Sequence, residues 1–360
     1  MIDLRSDTVS LPSDEMRHAM YTAELGDDVM GEDDLVNSLE TRAAELLGKE
    51  AAIFMPSGTQ ANLVAILSHC QRGDEIILGT ESHIFHYELA GSAAIAGVQS
   101  LLVHNQLSGQ FDMQQLASSF RPQGMLHPPT TLVCLENTQA RCSGAPLDEI
   151  HTEDVVKIAR KHSVPVHLDG ARLFNAAIAL NVSAKRLAAP VDSVAFSLCK
   201  GLSAPVGSLL CGTTTFIQQA RRWRKALGGA MHQAGILAAA GIYALDHMID
   251  RLGEDHYHAS LLAEALTDLP GIDVNPELVR TNIIIVTLTK QNMPVQPFLS
   301  RLATHHVLGL PFGPDSVRFV THKDIKRDHI ALAASAIRSA LEENSSVGGF
   351  FSQYQPPLNL

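Results

Sequence analysis

Four stretches of this chain carry side chains whose types and spacing could do chemistry. Lys200 opens a turn rich in Gly, Ser and Pro between two apolar runs, 194–198 and 206–210. A lysine placed there lies beside the core, where burial disfavours the ammonium and frees the amine as a nucleophile. Taken alone, an ordinary surface-loop lysine fits the same pattern. Ser57-Gly58-Thr59 stands where the apolar stretch 51–55 gives way to a helical pattern. Backbone N–H groups, two hydroxyls and the helix dipole make such a turn an anion cradle, although it also reads as a plain helix cap. Asp169 ends a third apolar run, 164–168, with Arg172 just beyond it. His83 begins a further helical pattern at 81–88.

The elements that must position these groups alternate regularly. Strand patterns at 51–55, 75–79, 98–103, 131–136, 164–168 and 194–198 are separated by helical ones, which predicts a mostly parallel α/β sheet. Ligands of such sheets sit at the carboxyl ends of the strands. The polar residues at those ends are Ser57, Thr59, His83, Asn137, Asp169, Arg172 and Lys200. A basic helix face follows (Arg221, Arg222, Arg224, Lys225) and reads as solvated. The character changes near residue 250. The expected division is a large domain over 1–250, a small C-terminal α+β domain over 251–345 and a tail over 346–360.

Composition narrows the function classes. With 360 residues, 46% hydrophobic and 18% charged, the chain can bury a large core. Its net charge of −11 argues against nucleic acid or an anionic membrane as the main partner. The N-terminus lacks an apolar signal core, and the longest apolar stretch, 234–245, falls short of the roughly 20 residues a membrane span needs. Five cysteines, an odd number without a C-x-x-C pair, read as reduced thiols of a cytoplasmic protein. Seventeen histidines include no H-E-x-x-H, and His83-x-x-His86 has no further ligands spaced around it, so no metal is expected.

No dinucleotide or P-loop motif is present. An anion-binding helix turn, a carboxylate at a strand end, a lysine on a later strand turn and an imidazole at a helix start are the parts pyridoxal 5'-phosphate requires. At this point the chain resembles the L-threonine aldolases, part of the β-eliminating-lyase group of fold-type-I pyridoxal-phosphate enzymes. The resemblance runs through Asp3-Leu-Arg-Ser-Asp-Thr-Val, Gly48-Lys-Glu-Ala-Ala-Ile-Phe-Met-Pro-Ser-Gly-Thr-Gln-Ala-Asn, His167-Leu-Asp-Gly-Ala-Arg-Leu-Phe-Asn, Lys200-Gly-Leu-Ser-Ala-Pro-Val-Gly and Arg222-Trp-Arg-Lys-Ala-Leu-Gly-Gly, and ends at Val317-Arg-Phe-Val-Thr-His.

The resemblance implies a fold-type-I large domain with a small C-terminal domain, and cleavage of L-threonine or L-allo-threonine to glycine and an aldehyde. It implies that Lys200 holds the cofactor aldehyde and Asp169 pairs with its ring nitrogen. Ser57, Gly58 and Thr59 hold the phosphate, and His83 stacks on the ring. Ser6, Arg172 and Arg318 grip the substrate carboxylate. His127 lies near the β-hydroxyl, whose proton passes to His83 or to a water held by either histidine. It implies a homotetramer, a dimer of dimers with shared sites, in which Lys225 and His232 reach a neighbour's cofactor.

The chain departs from the family at Met30 (usually Tyr), Gln139 (His), Cys199 (Ser) and His232 (Arg). Cys199 donates poorly and His232 lacks a fixed charge, so weaker cofactor binding is expected. Racemisation or β-elimination on another amino acid is the alternative reaction. A homologue whose site has decayed is a third reading, opposed by the joint presence of Lys200, Asp169, Arg172 and Arg318.

Overall fold

In the computed structural model, which describes residues 1–121, 124–289 and 293–342, the described strands form a large sheet, a smaller one and a two-stranded pair. A short β1, Ile2–Asp3, comes first. The large sheet holds β2 (Ala51–Met55), β3 (Glu75–Gly79), β4 (Gln99–Val103), β5 (Thr130–Glu136), β6 (Val166–Asp169), β7 (Ser193–Ser197) and β8 (Ser208–Gly212). Their order is β2-β8-β7-β6-β5-β3-β4. β3 to β7 pair in parallel, and β8 runs antiparallel to both its neighbours.

Helices cover both faces, so the strands are apolar on both sides. The two-residue period sorts them. Ala52, Phe54, Val133, Leu135, Val194 and Phe196 face one core, while Ile53, Met55, Leu132, Cys134 and Ala195 face the clusters on the other side. On that second side lies the helix Gly58–His69, buried continuously from Ala61 to Ile66.

The smaller unit is a four-stranded antiparallel sheet ordered β12-β13-β10-β9. Its strands are β9 (Ile272–Asp273), β10 (Ile283–Leu288), β12 (Leu310–Pro311) and β13 (Ser316–Val320), with β11 (Val307–Leu308) set beside them. The helices Leu252–Leu266, Val295–Thr304 and Arg327–Glu342 pack on it.

Along the C-terminal half, the large core runs to Leu252 and the smaller one begins at Ala259. The N-terminus departs from that division. Strand β1 pairs with β11, and Ile2 and Leu4 are buried in the smaller core. The expected tail, 346–360, lies outside the described residues. No described helix is long and apolar enough to cross a membrane.

The basic face of the helix Thr214–Ala226 is only partly solvated. Arg224 is buried, 2.8 Å from Asp28, and donates to the Phe54 carbonyl at 2.9 Å. Arg221 pairs with Glu40. A lone helical pattern cannot show that acidic partners from distant segments cover the face.

Candidate active site

The parallel strands end together. The last residue of β6, Asp169, stands in register with Glu136 of β5 and Ala195 of β7. Gly170 lets the chain turn away here: a Cβ on it would lie 2.7 Å from the Ala195 carbonyl oxygen. Asp169 is buried and accepts from the Asn62 amide at 2.9 Å and from the Ala171 N–H at 3.1 Å. Lys200 follows β7 and is half-buried. Burial, then the nearby Arg172 charge, lower its pKa, against the opposing pull of Asp169 and Asp7. The Lys200 carbonyl accepts from Ser10 Oγ at 3.2 Å, so the N-terminal segment lies against this turn.

His83 comes to the same strand ends. Its backbone N–H donates to Glu136 Oε2 at 2.7 Å, and its Nδ1 lies 2.9 Å from Glu88 Oε1. Burial by itself would lower the imidazole pKa, but the Glu88 hydrogen bond and the Asp169 and Glu136 charges outweigh it, and the net shift is upward. Burial, reinforced by Asp169, raises Glu136. The Asn62 amide donates to Glu88 as well as to Asp169, at 2.8 Å. His83, Glu88 and Asp169 bring donor atoms within 4.8 Å of one another. The oxygens nearest one another already accept from Asn62 and His83, so the trio reads as a hydrogen-bonded cradle.

Arg172 is buried and paired with a carboxylate from the N-terminal segment. Its Nε and Nη2 donate to the two oxygens of Asp7 at 2.7 and 2.6 Å, and both residues are buried. Burial alone would raise the Asp7 carboxyl, yet the guanidinium, with help from Lys200 and Asn282, holds it far below the carboxylate range. Arg318 is the guanidinium left unsatisfied. Among the described residues its Nε is buried without a partner, and its Nη2 makes a long contact of 3.5 Å to the Arg5 carbonyl. Burial and the Arg172 charge lower its pKa. Two close guanidinium groups, one with an unmet donor, form a place for an anion. Ser6 sits beside them, capping the turn Asp7–Val9.

At the other end of the site, Ser57 caps the helix Gly58–His69 by accepting from the Gln60 N–H at 3.1 Å. Ser57 and Thr59 are exposed. A Cβ on Gly58 would lie 3.3 Å from Ser197 Oγ and 3.6 Å from Ser208 Oγ, so these two hydroxyls back the helix start.

Other expected residues lie apart from this cluster within one chain. His127 is exposed before β5, at the opposite end of that strand from Glu136, roughly 20 Å away at strand rise. Lys225 is exposed, and exposed His232 bonds Asp27 at 2.8 Å. Asn137 points into its own loop, bonding the Leu147 backbone twice. Met30 is exposed, whereas Gln139 is buried and donates to Glu136 at 3.2 Å. Burial raises the Cys199 thiol pKa.

Asp7, Asn62, Glu88 and Glu136 were not singled out from the sequence. Asn62 left a trace, as a polar side chain inside an otherwise apolar helical run, and Glu136 as a carboxylate at a strand end.

With the geometry in place, comparison with known proteins is informative. A family model for beta-eliminating lyases matches residues 3–289. Low-specificity L-threonine aldolase 1 of Arabidopsis thaliana is 42% identical over 344 residues, 94% of this chain and 96% of that protein. The low specificity L-threonine aldolase of Escherichia coli O157:H7 is 42% identical over 341 residues, 95% of this chain and 99% of that one. The solved threonine aldolase of Leishmania major shares the fold, with a TM-score of 0.80 at 18% identity over 95% of this chain and 100% of that one. On the span and strength of these matches, the chain belongs to the beta-eliminating lyase family.

Proposed function

We propose that the protein binds pyridoxal 5'-phosphate and cleaves L-threonine or L-allo-threonine between Cα and Cβ, giving glycine and acetaldehyde. The observation that carries the reading is Lys200 at a strand end, half-buried with a lowered pKa, beside the buried carboxylate of Asp169. The residues fit the cofactor. A helix start with a glycine against two buried hydroxyls suits a phosphate, and the unmet Arg318 Nε suits a substrate carboxylate. When bound, pyridoxal phosphate supplies an electron sink for the pair released at Cα.

The chain's own residues do the rest. Lys200 holds the cofactor aldehyde and Asp169 keeps the ring nitrogen protonated. The N–H groups and hydroxyls of Ser57, Gly58 and Thr59 hold the phosphate, with Ser197 behind them. Arg318 and Ser6 bind the substrate carboxylate, and Arg172, oriented by Asp7, presents its remaining Nη1 to it. His83 covers the ring face, and Glu88 raises its proton affinity, which suits it to take the β-hydroxyl proton. The Cα–Cβ bond breaks as the aldehyde carbonyl forms, and a proton delivered to Cα completes glycine.

The protein works as a homotetramer with shared sites, in which His127, Lys225 and His232 reach a neighbour's cofactor. Their exposure supports this, as do the exposed apolar side chains Tyr21, Leu89, Met125 and Leu126. A cytoplasmic setting is supported by five cysteines without a disulfide.

The test is incubation of the cofactor-loaded protein with L-threonine, L-allo-threonine and their D-forms, assaying glycine and acetaldehyde together. Equimolar products from an L-isomer are expected. Absence of both, in protein whose cofactor absorbance depends on Lys200, rejects the aldolase and leaves racemisation or elimination.

A further inference from the structure

A chain of side chains, buried except for half-buried His69 at its far end, runs behind Asp169. His69 Nε2 lies 2.9 Å from Ser193 Oγ, which lies 2.9 Å from His167 Nδ1. His167 Nε2 lies 3.2 Å from Asn62 Oδ1, and the Asn62 amide nitrogen reaches Asp169 and Glu88. Chemistry fixes the direction of every link. Two carboxylates must face the amide NH₂, so Oδ1 must accept. His167 Nε2 therefore donates. Burial depresses the His167 pKa to about 3 and that of His69 to about 4, so both rings are neutral. Neutral His167 accepts at Nδ1 from the Ser193 hydroxyl, and the Ser193 oxygen accepts from His69. All donors point toward Asp169, and no net charge is placed beside it.

The ends of this chain share one helix. Asn62 and His69 lie seven residues apart on the helix Gly58–His69, two turns along one face. That helix also starts with the phosphate cradle. It is therefore tied to β6 and β7 at two polar points.

We propose that His167 is a positioning residue: with Ser193 and His69 it locks the Asn62 amide, so that one side chain holds Asp169 and Glu88 in register with the helix start that cradles the phosphate. The inference rests on the cofactor reading above. It adds that the ring-nitrogen partner, the Glu88–His83 pair and the phosphate turn are set by one buried hydrogen-bond chain.

The test uses the full-length protein with pyridoxal phosphate, reading the cofactor Kd and the visible circular dichroism of the bound cofactor. His167→Phe, which removes the donor to Asn62, is expected to raise Kd about tenfold, equal to about 1.4 kcal/mol, and to change the visible dichroic band. His167→Gln, whose amide can donate in the same place, recovers most of both. Ser193→Ala breaks the chain one link away and raises Kd about threefold; it decides the matter if His167→Phe does not fold. Folded variants that bind within twofold of the parent, with an unchanged band, overturn the proposal. A parent protein that does not bind the cofactor at all overturns the functional reading instead.

Discussion

At the ring end of the site, Asp169, Asn62 and Glu88 are buried and bonded to one another, with His83 held against them. At the phosphate and carboxylate end, Ser57 and Thr59 are exposed, and among the described residues Arg318 keeps a buried donor without a partner. The first end is satisfied by its own hydrogen bonds, whereas the second leaves a donor unmet. Ring geometry needs rigidity, and a network satisfied internally supplies it before anything binds. An anion brings its own acceptors, so the residues meeting it are left unmet until it arrives.

Several substitutions would break or sharpen this contrast. The largest effect belongs to the point where the two ends meet: Lys200→Ala abolishes the Lys200-dependent absorbance and lowers turnover by more than the roughly 10⁴-fold ceiling of a lost general base, measured as glycine release. Asp7→Ala strands the buried Arg172 and costs about 3–5 kcal/mol of stability, read by urea denaturation. Arg318→Gln tests the open end alone. It lowers kcat/KM for threonine by roughly 10- to 100-fold, the worth of a charged hydrogen bond, while cofactor Kd stays put.

The closed end has a pH signature of its own. His69 and His167 stay neutral when folded but take up protons in the unfolded chain below about pH 6.5. Their contribution is therefore intact above that pH and falls as the pH drops toward 4 and 3, where the folded rings titrate. Thermal melting of His167→Phe across this window shows a shallower acid decline. The smallest effect is at the exposed rim, where His232→Arg tightens cofactor binding about two- to threefold by restoring a fixed charge.

How much of this was legible in the sequence depended on distance along the chain. Lys200 and Asp169 could be read because each sits at the end of an apolar run, a local signal. The strand expected at 194–198 is observed at Ser193–Ser197. Strands β9, β11 and β12 have two residues each, too few to show a period. The pairing of Arg172 was not legible because its partner Asp7 lies 165 positions away. Arg224 was taken as solvated for the same reason, since nothing near it announces Asp28. Asn62 shows the middle case: its polarity was visible, but its work is defined by strands β6 and β7.

The pairing of β1 with β11 bears on how the protein is made. Residues 2–4 find their partners among residues 307–322. Ile2 pairs with Val307, the Leu4 carbonyl accepts from the Val320 N–H at 2.8 Å, and the Asp3 carbonyl meets His322 at 2.8 Å. Asp7, carried on that same segment, is what holds Arg172. A nascent chain halted before residue 307 thus has its lysine, its aspartate and its helix turn, but lacks the strand and backbone partners that hold residues 2–4. Docking of residues 2–4 therefore waits until residues 307–322 have been made.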